Sequence, residues 1–253
     1  MDLLSRNLCA RLKGKTAWIT GGRRIGRTVA LALAGQGVNI AASWRSSERE
    51  ALETVRRAKR AGVRALAVRA DVSSREDSRR AAGAIREEFG ALHILVNLAS
   101  VFSPVEVSRV SEPDWEANVS AHILGSFWPA QAAVPLMPRG SHIINIADRT
   151  SIGKIYPGYV PYVATKAAVA SLTRALAVEY GPKGIYVNAI APGPVLRPAD
   201  VSPSEWRRVR RSVLEILMSD REASEQFALL VLYLAAATGA SGHVYPLDFG
   251  KNL

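Results

Sequence analysis

The sequence predicts a single α/β domain built on a doubly wound, parallel, seven-stranded sheet with helices on both faces. Three observations carry that reading. Short apolar, β-branched runs alternate with longer amphipathic helical patterns along almost the whole chain. Between Thr16 and Ser43 a strand, a glycine turn, a helix and a second strand follow one another, the content of one βαβ unit. No linker or internal repeat is long enough to divide the rest. A chain of 253 residues with 48% hydrophobic content can bury one large core.

The first unit opens with the apolar strand Thr16–Thr20, which runs into Gly21-Gly22-Arg23-Arg24-Ile25-Gly26. A helix over Arg27–Gln36 is stopped by Gly37, and the strand Val38–Ser43 follows. Such a turn offers backbone N–H groups and a helix N-terminus to a pyrophosphate. Glycine is needed there because backbone and phosphate approach closely. An NAD site usually places a carboxylate at the end of the second strand for the ribose 2′-hydroxyl. This chain has Trp44-Arg45-Ser46-Ser47 instead. A guanidinium and two hydroxyls suit a 2′-phosphate, and Arg23 and Arg24 add charge from the turn, so NADPH/NADP+ is the expected cofactor. Ser46 and Ser47 also suit the cap of the next helix.

That helix is expected over Glu48–Arg60, and the strand Arg64–Arg69 leads to Asp71-Val72, placed to meet an adenine ring. A basic helix, Ser74–Phe89, precedes the strand Ile94–Asn97, which has Asn97-Leu98-Ala99-Ser100 at its carboxyl end. One long helix over Glu112–Met137 carries Asn118. His142–Ala147 reads as a buried strand ending on Asp148. A Gly/Pro-rich loop leads to a helix over Tyr159–Tyr180. The sixth strand, Ile185–Ala191, ends in Pro192-Gly193-Pro194-Val195. Helices over Glu205–Met218 and Ser224–Ala237 and a last strand, His243–Leu247, complete the chain.

Tyr162 and Lys166 lie four apart on one helix face. A phenol ionises near pKa ~10, and each unit of depression needs about 1.4 kcal/mol of preference for the phenolate, which a neighbouring ammonium supplies. Alone, this spacing is a frequent chance match, and its plain reading is a surface helix pair. The cofactor turn in the same chain gives it significance.

The formal charge of +11 invites a nucleic-acid reading. Its sources at 56–60, 75–80 and 207–211 are dispersed in polar helical surroundings, with no nucleic-acid-binding motif beside them. They read as solvated helix faces that can also draw anionic ligands inward. The longest apolar stretch, Ala228–Ala237, is well short of the roughly 20 residues that span a bilayer. Residues 1–13 form a mildly basic tail without the apolar segment of a secretory signal. The only cysteine, Cys9, excludes an internal disulfide and fits a reducing cytoplasm. The expectations are a cytoplasmic protein with a small-molecule substrate, one domain over 14–253, and no metal, membrane or nucleic-acid partner.

With these residues in place, the chain resembles the short-chain dehydrogenase/reductase family from about Gly14 onward. The match runs through the glycine turn, Asp71, Asn97 and Ala99, Asn118, Tyr162 and Lys166, and Pro192-Gly193, in the family's order. The resemblance implies the Rossmann fold, with Tyr162 as proton donor or acceptor. It implies that Lys166 holds the nicotinamide ribose and lowers the tyrosine pKa, and that Asn118 anchors a water. It extends the cofactor set over Gly21, Arg23, Arg24, Ile25, Gly26, Arg45, Ser46, Ser47, Asp71, Val72, Asn97, Ala99, Pro192, Gly193 and Val195. Arg24 in the turn, the segment Asn97–Phe102 and Asp148 in place of the usual serine are similar to the pteridine reductase branch. That branch reduces pterins and folates, with Phe102 stacking a planar ring.

The chain also departs from the family's pattern. Gly21 and Gly26 are five apart rather than six, and Asp148 is fourteen residues before Tyr162 rather than thirteen, so strict counting selects Arg149. Asp148 is preferred because it follows its strand directly. Thr150 and Ser151 remain alternatives should the loop fold back. Leu98 stands for a second Asn, and Arg197 for a Thr that helps hold the carboxamide, leaving more of that task to Val195. The expected activity is NADPH-dependent reduction of a C=N or C=O bond, pteridine reductase-like. A ketoreductase, an epimerase or dehydratase, and a non-catalytic NADPH-binding sensor are the alternatives. The apolar length of 112–137 and 159–180 predicts association, with a homotetramer, or else a homodimer, implied by the resemblance. A substrate loop is expected at 195–220.

Overall fold

A computed structural model describes residues 10–197, 201–210, 219–250 and 252. The order is β1 (Thr16–Thr20), α1 (Ile25–Gly35), β2 (Asn39–Trp44), α2 (Glu48–Arg60), β3 (Ala65–Arg69), α3 (Arg75–Phe89) and β4 (Ile94–Asn97). There follow α4 (Glu112–Asn118), a π turn (Val119–Leu124), α5 (Gly125–Ala133), β5 (His142–Ile146), α6 (Val160–Tyr180) and β6 (Tyr186–Pro192). The last elements are α7 (Pro203–Arg210), α8 (Asp220–Leu234) and β7 (Val244–Leu247). The expected fold is the one observed: a sheet in the order β3-β2-β1-β4-β5-β6-β7, with every pairing parallel.

Period-two alternation in β1 divides the core between the two faces of the sheet. Ala17 and Ile19 point into a cluster with Leu33, Ile40, Phe227 and Val231, from α1, β2 and α8. Trp18 points the other way, into a cluster with Ile85, Leu95, Ile143 and Leu176, from α3, β4, β5 and α6. Both faces of the sheet are therefore covered, as parallel strands require. The buried Trp18 indole donates to Ser43 Oγ at 3.0 Å, which satisfies its only polar atom. The N-terminal segment is described from Ala10, and Leu12 is fully buried in the first cluster.

Most expected boundaries fall within a residue or two of the observed ones. The long helix of 112–137 is the main correction. Its path is helical but interrupted by the π turn at Val119–Leu124 and a closing 3-10 turn at Val134–Leu136. Pro129 has no N–H to close a turn on the Gly125 carbonyl, and Pro135 sits in the 3-10 turn, so a uniform α ladder is not available. The helix expected over Glu205–Met218 is observed as α7, starting two residues earlier; positions 211–218, like 1–9, lie outside the described residues.

The glycine turn after β1 closes on itself. Gly21 adopts φ +83°, and a Cβ on Gly26 would stand 1.9 Å from the Gly21 carbonyl oxygen. Five-residue spacing is thus compatible with a tight turn only if position 26 has no side chain. Gly26→Ala is expected to destabilise the fold by about 1–3 kcal/mol, read as a drop of several degrees in the unfolding midpoint. An unchanged midpoint would show that the turn can open without cost.

Candidate active site

The carboxyl ends of the central strands open onto one cleft of about 1140 Å³. It includes the point where strand order reverses between β1 and β4, the crevice in which doubly wound sheets take ligands. Gly21, Arg23, Arg24 and Ile25 line one end with Arg45, Ser46 and Ser47; Asp148, Tyr162 and Lys166 line the middle. Thr20 Oγ1 accepts from the backbone N–H groups of Leu98 and Ala99 at 2.9 and 3.2 Å, which pins the end of β4 beside the turn. Across the cleft, Pro192, Gly193 and Val195 follow β6, and a Cβ on Gly193 would meet the Asp248 carbonyl oxygen at 2.8 Å. Val72 also lines the cleft and packs against Gly125, where a Cβ would lie 2.9 Å from its Cγ2.

Two members of the expected cofactor set, Asn97 and Arg24, are placed differently, while Arg45 stays on the cleft wall. Asn97 is not on the cleft wall: its amide donates to Asn145 Oδ1 at 2.9 Å and Ser126 O at 3.1 Å inside the fold. The next link is Asn145 Nδ2 donating to Thr173 Oγ1 at 2.9 Å, so Asn97 ties β4, β5 and α6 together. Arg24, at φ +53°, turns its guanidinium to the carbonyls of Leu196 and Arg197 at 3.3 and 2.6 Å, spanning the cleft instead of facing a phosphate. Arg45 is an exposed side chain 3.5 Å from Asp71 Oδ2, a loose pair of little net strength. Asp71 Oδ1 in turn accepts from the Ser73 N–H and hydroxyl at 2.9 and 2.7 Å.

At the centre of the cleft, Tyr162 Oη donates to Asp148 Oδ2 at 2.8 Å. In this contact Asp148, not Arg149, stands beside the tyrosine. Arg149 instead places its guanidinium 4.9 Å from the Tyr156 ring centre and donates to Lys154 O. Asp148 caps the short turn Arg149–Ser151, and its Oδ1 accepts from the Thr150 N–H and hydroxyl at 2.9 and 2.8 Å. Thr150 and Ser151 therefore brace the aspartate and do not replace it. The far side of this loop is held by Asn252, whose Oδ1 accepts from Lys154 N at 3.2 Å and Arg149 Nη1 at 3.4 Å.

Lys166 is buried and donates to Ile146 O at 2.8 Å. Burial lowers its pKa to about 8, with Asp148 working in the opposite direction. Tyr162 departs from the sequence expectation. Burial and the Asp148 carboxylate push its pKa well above the usual value, whereas lowering was expected from the lysine. The physical reasons are burial first and direct contact second: the phenol oxygen touches an anion, while the ammonium lies 5.8 Å from the ring centre and bonds to a carbonyl.

Asn118 is not brought to this centre. Its amide donates to Asp114 O at 2.8 Å, within its own helix, and it does not line the cleft. The residue that does reach Tyr162 from this helix is His122, which the sequence reading passed over. Its ring lies edge-on to Tyr162 with centres 5.4 Å apart. A lone histidine in an apolar helical stretch was the available signal, but regular helical spacing gave no reason to prefer it to Asn118. Phe102 stacks on Tyr159 at 4.5 Å and meets Tyr162 edge-on at 4.8 Å, so neighbouring rings occupy surface expected to receive a substrate.

Comparison with known proteins agrees with this architecture. A family profile described as enoyl-(acyl carrier protein) reductase matches residues 21–252. The 3-oxoacyl-(acyl-carrier-protein) reductase of Staphylococcus aureus is 36% identical over 183 residues, 71% of this chain and 74% of that one. The 3β-hydroxysteroid dehydrogenase 1 of Eggerthella lenta is 33% identical over 254 residues, covering 96% and 95%. A short-chain dehydrogenase from Burkholderia cenocepacia J2315, solved in complex with NADP, superposes with a TM-score of 0.88 at 29% identity, covering 96% of this chain and 100% of that one. The chain belongs to the short-chain dehydrogenase/reductase family of oxidoreductases.

The depressed lysine has a measurable signature. Between pH 8 and about 10 the unfolded chain holds a proton on this amine that the folded chain has begun to release, so this group's contribution to stability rises with pH. Lys166→Met removes that contribution. The midpoint of the parent relative to Lys166→Met is expected to rise from pH 8 to about 9, below the range where tyrosines of the unfolded chain ionise. A flat difference would place the lysine pKa near its ordinary value.

Proposed function

We propose that this chain is an NADPH-dependent reductase that directs hydride to the carbon of a polarised C=O bond, with Tyr162 giving the proton. The contact that carries the reading is Tyr162 Oη at 2.8 Å from Asp148 Oδ2, with Lys166 one turn on, inside a cleft large enough for a dinucleotide and a substrate. The residues suit the cofactor. The turn at Gly21–Gly26 is kept tight by the absence of a side chain at Gly26 and leads into the N-terminus of α1, which suits a pyrophosphate, and Arg23, Arg45, Ser46 and Ser47 sit at the cleft end suited to a 2′-phosphate. The solved Burkholderia relative holds NADP, which supports the same assignment.

NADPH, when bound, supplies the hydride. The chain's own residues do the rest. Lys166, 5.8 Å from the Tyr162 ring centre, is the cation assigned to the nicotinamide ribose. Tyr162 must exchange Asp148 for the substrate oxygen to deliver its proton. Asp148, braced on Thr150, then accepts a hydrogen bond from whatever stands next to the reacting carbon.

The carbonyl reading is placed ahead of the pterin or cyclic-imine reading for two reasons. The relatives named above act on 3-oxoacyl and hydroxysteroid groups, and Tyr159 already covers a face of Phe102. Asp148 keeps the second reading in play, because a carboxylate accepts from an amino-pterin and a plain ketone offers it no donor. The absence of a described helix long and apolar enough to cross a membrane leaves the cytoplasmic reading open. Exposed Trp115 on α4 and Val160 and Val178 on α6 support self-association, with a homotetramer as the proposed assembly. A monomer by light scattering would overturn that assembly.

The deciding experiment is NADPH oxidation against a β-ketoacyl thioester, a 3-ketosteroid, dihydropterin, dihydrofolate and a cyclic imine, with NADH as cofactor control. Ketones are expected to turn over fastest. Tyr162→Phe should lose about 100-fold or more in kcat while still binding NADPH; retained turnover would remove it as the proton donor. Asp148→Ser should raise the ketone-to-pterin ratio of kcat/KM, and an unchanged ratio would count against Asp148 as the selector.

A further inference from the structure

We infer that His122 is the positioning residue that holds Tyr162 and the Ser100–Phe102 wall in one fixed geometry. The inference rests on Tyr162 being the proton donor. The π turn at Val119–Leu124 is its structural basis. Widening the helix at Val119–Leu124 displaces residues from regular 3.6-residue spacing, and His122 is the residue of this turn that becomes buried.

Both ring nitrogens have partners there. Nδ1 is 2.8 Å from Thr165 Oγ1, and Nε2 is 2.9 Å from Ser100 Oγ, 3.3 Å from Val101 N and 3.1 Å from Val101 O. The Nδ1–H tautomer satisfies more of this set than the Nε2–H tautomer, which cannot accept from the Val101 N–H. In one, Nδ1–H donates to Thr165 Oγ1, whose own proton goes to Pro161 O at 2.7 Å, while Nε2 accepts from Ser100 and the Val101 N–H. In the other, Nε2–H donates to Val101 O and Nδ1 accepts from Thr165. Burial, helped by the nearby Lys166 charge, lowers the His122 pKa to about 3, so the ring stays neutral at ordinary pH.

The histidine therefore joins two walls of the cleft. Ser100 and Val101 belong to the segment after β4 that carries Phe102; Thr165 lies between Tyr162 and Lys166 on α6. The Tyr162 ring meets Phe102 at 4.8 Å and 78° and His122 at 5.4 Å and 85°, which restricts its plane while its hydroxyl bonds Asp148. A fixed ring sets where the phenol proton is delivered, and small errors in that position are costly to the chemical step. Asn118 makes none of these contacts.

The test uses His122→Phe, His122→Gln and Thr165→Val, alone and His122→Phe with Thr165→Val, assayed with NADPH and an acetoacetyl thioester or the fastest ketone of the panel. His122→Phe keeps a ring but loses both hydrogen bonds. Its kcat should fall about 10- to 100-fold, with the NADPH dissociation constant within about twofold of the parent. His122→Gln, which restores a donor and an acceptor near Val101, should recover at least about fivefold of that loss. Thr165→Val should lower kcat about 3- to 10-fold, and the double variant should be no slower than His122→Phe, because both break one network. A His122→Phe kcat within about twofold of the parent, or additive losses in the double variant, would overturn the inference. If His122→Phe does not fold, His122→Gln and Thr165→Val decide: unchanged kcat in both sinks the proposal. Tyr162→Phe separates the two levels. Retained turnover there defeats the proton-donor reading, whereas its loss alongside an unaffected His122 series defeats only this inference.

Discussion

Everything at the site depends on the strands all running the same way. Seven parallel strands gather their carboxyl ends along one edge, and the reversal of order between β1 and β4 opens that edge into a crevice. The glycine turn, Asp71, the Ser100–Phe102 segment, Asp148 and Pro192 are far apart in sequence but each follows a strand, so the sheet delivers them to one place. The chain from Asn97 through Asn145 to Thr173 then locks two of those strands to the helix bearing Tyr162 and Lys166. A buried amide link of this kind tolerates little displacement without losing the hydrogen bonds of the Asn97 and Asn145 amide nitrogens.

Within that frame the charges near Tyr162 are opposed. Asp148 touches the phenol and resists its ionisation, while Lys166, drawn toward neutrality by its burial, reaches a backbone carbonyl. The phenol is thereby kept protonated, which is the state a proton donor needs. A hydroxyl in place of Asp148 would relieve the repulsion that favours this state. The aspartate thus bears on the protonation of its neighbour as well as on what can sit beside it.

Much of this was legible from residue pattern. Strand and helix periods, glycine punctuation and strand-end residues located the fold, the cleft and Tyr162 with Lys166, because each depends on local sequence or on a fixed spacing. What was not legible depended on contacts that spacing does not encode. The π turn breaks the regular helix assumed for 112–137 and brings in His122 where Asn118 was expected. The direction of the Tyr162 shift follows from which side chain its hydroxyl meets, a matter of loop conformation at 148–151. Arg24 was read by its charge, but its guanidinium finds backbone carbonyls across the cleft.

One feature of the sheet bears on how copies of this chain can meet. β7 is an edge strand, and its ladder to β6 uses His243 and Leu247 carbonyls, which accept from Ala189 and Gly193. Alternation therefore turns Pro246 away from β6, so its missing N–H costs no ladder bond. It also removes a donor from the row that an incoming strand would need. Backbone pairing along this edge is thereby weakened at Pro246.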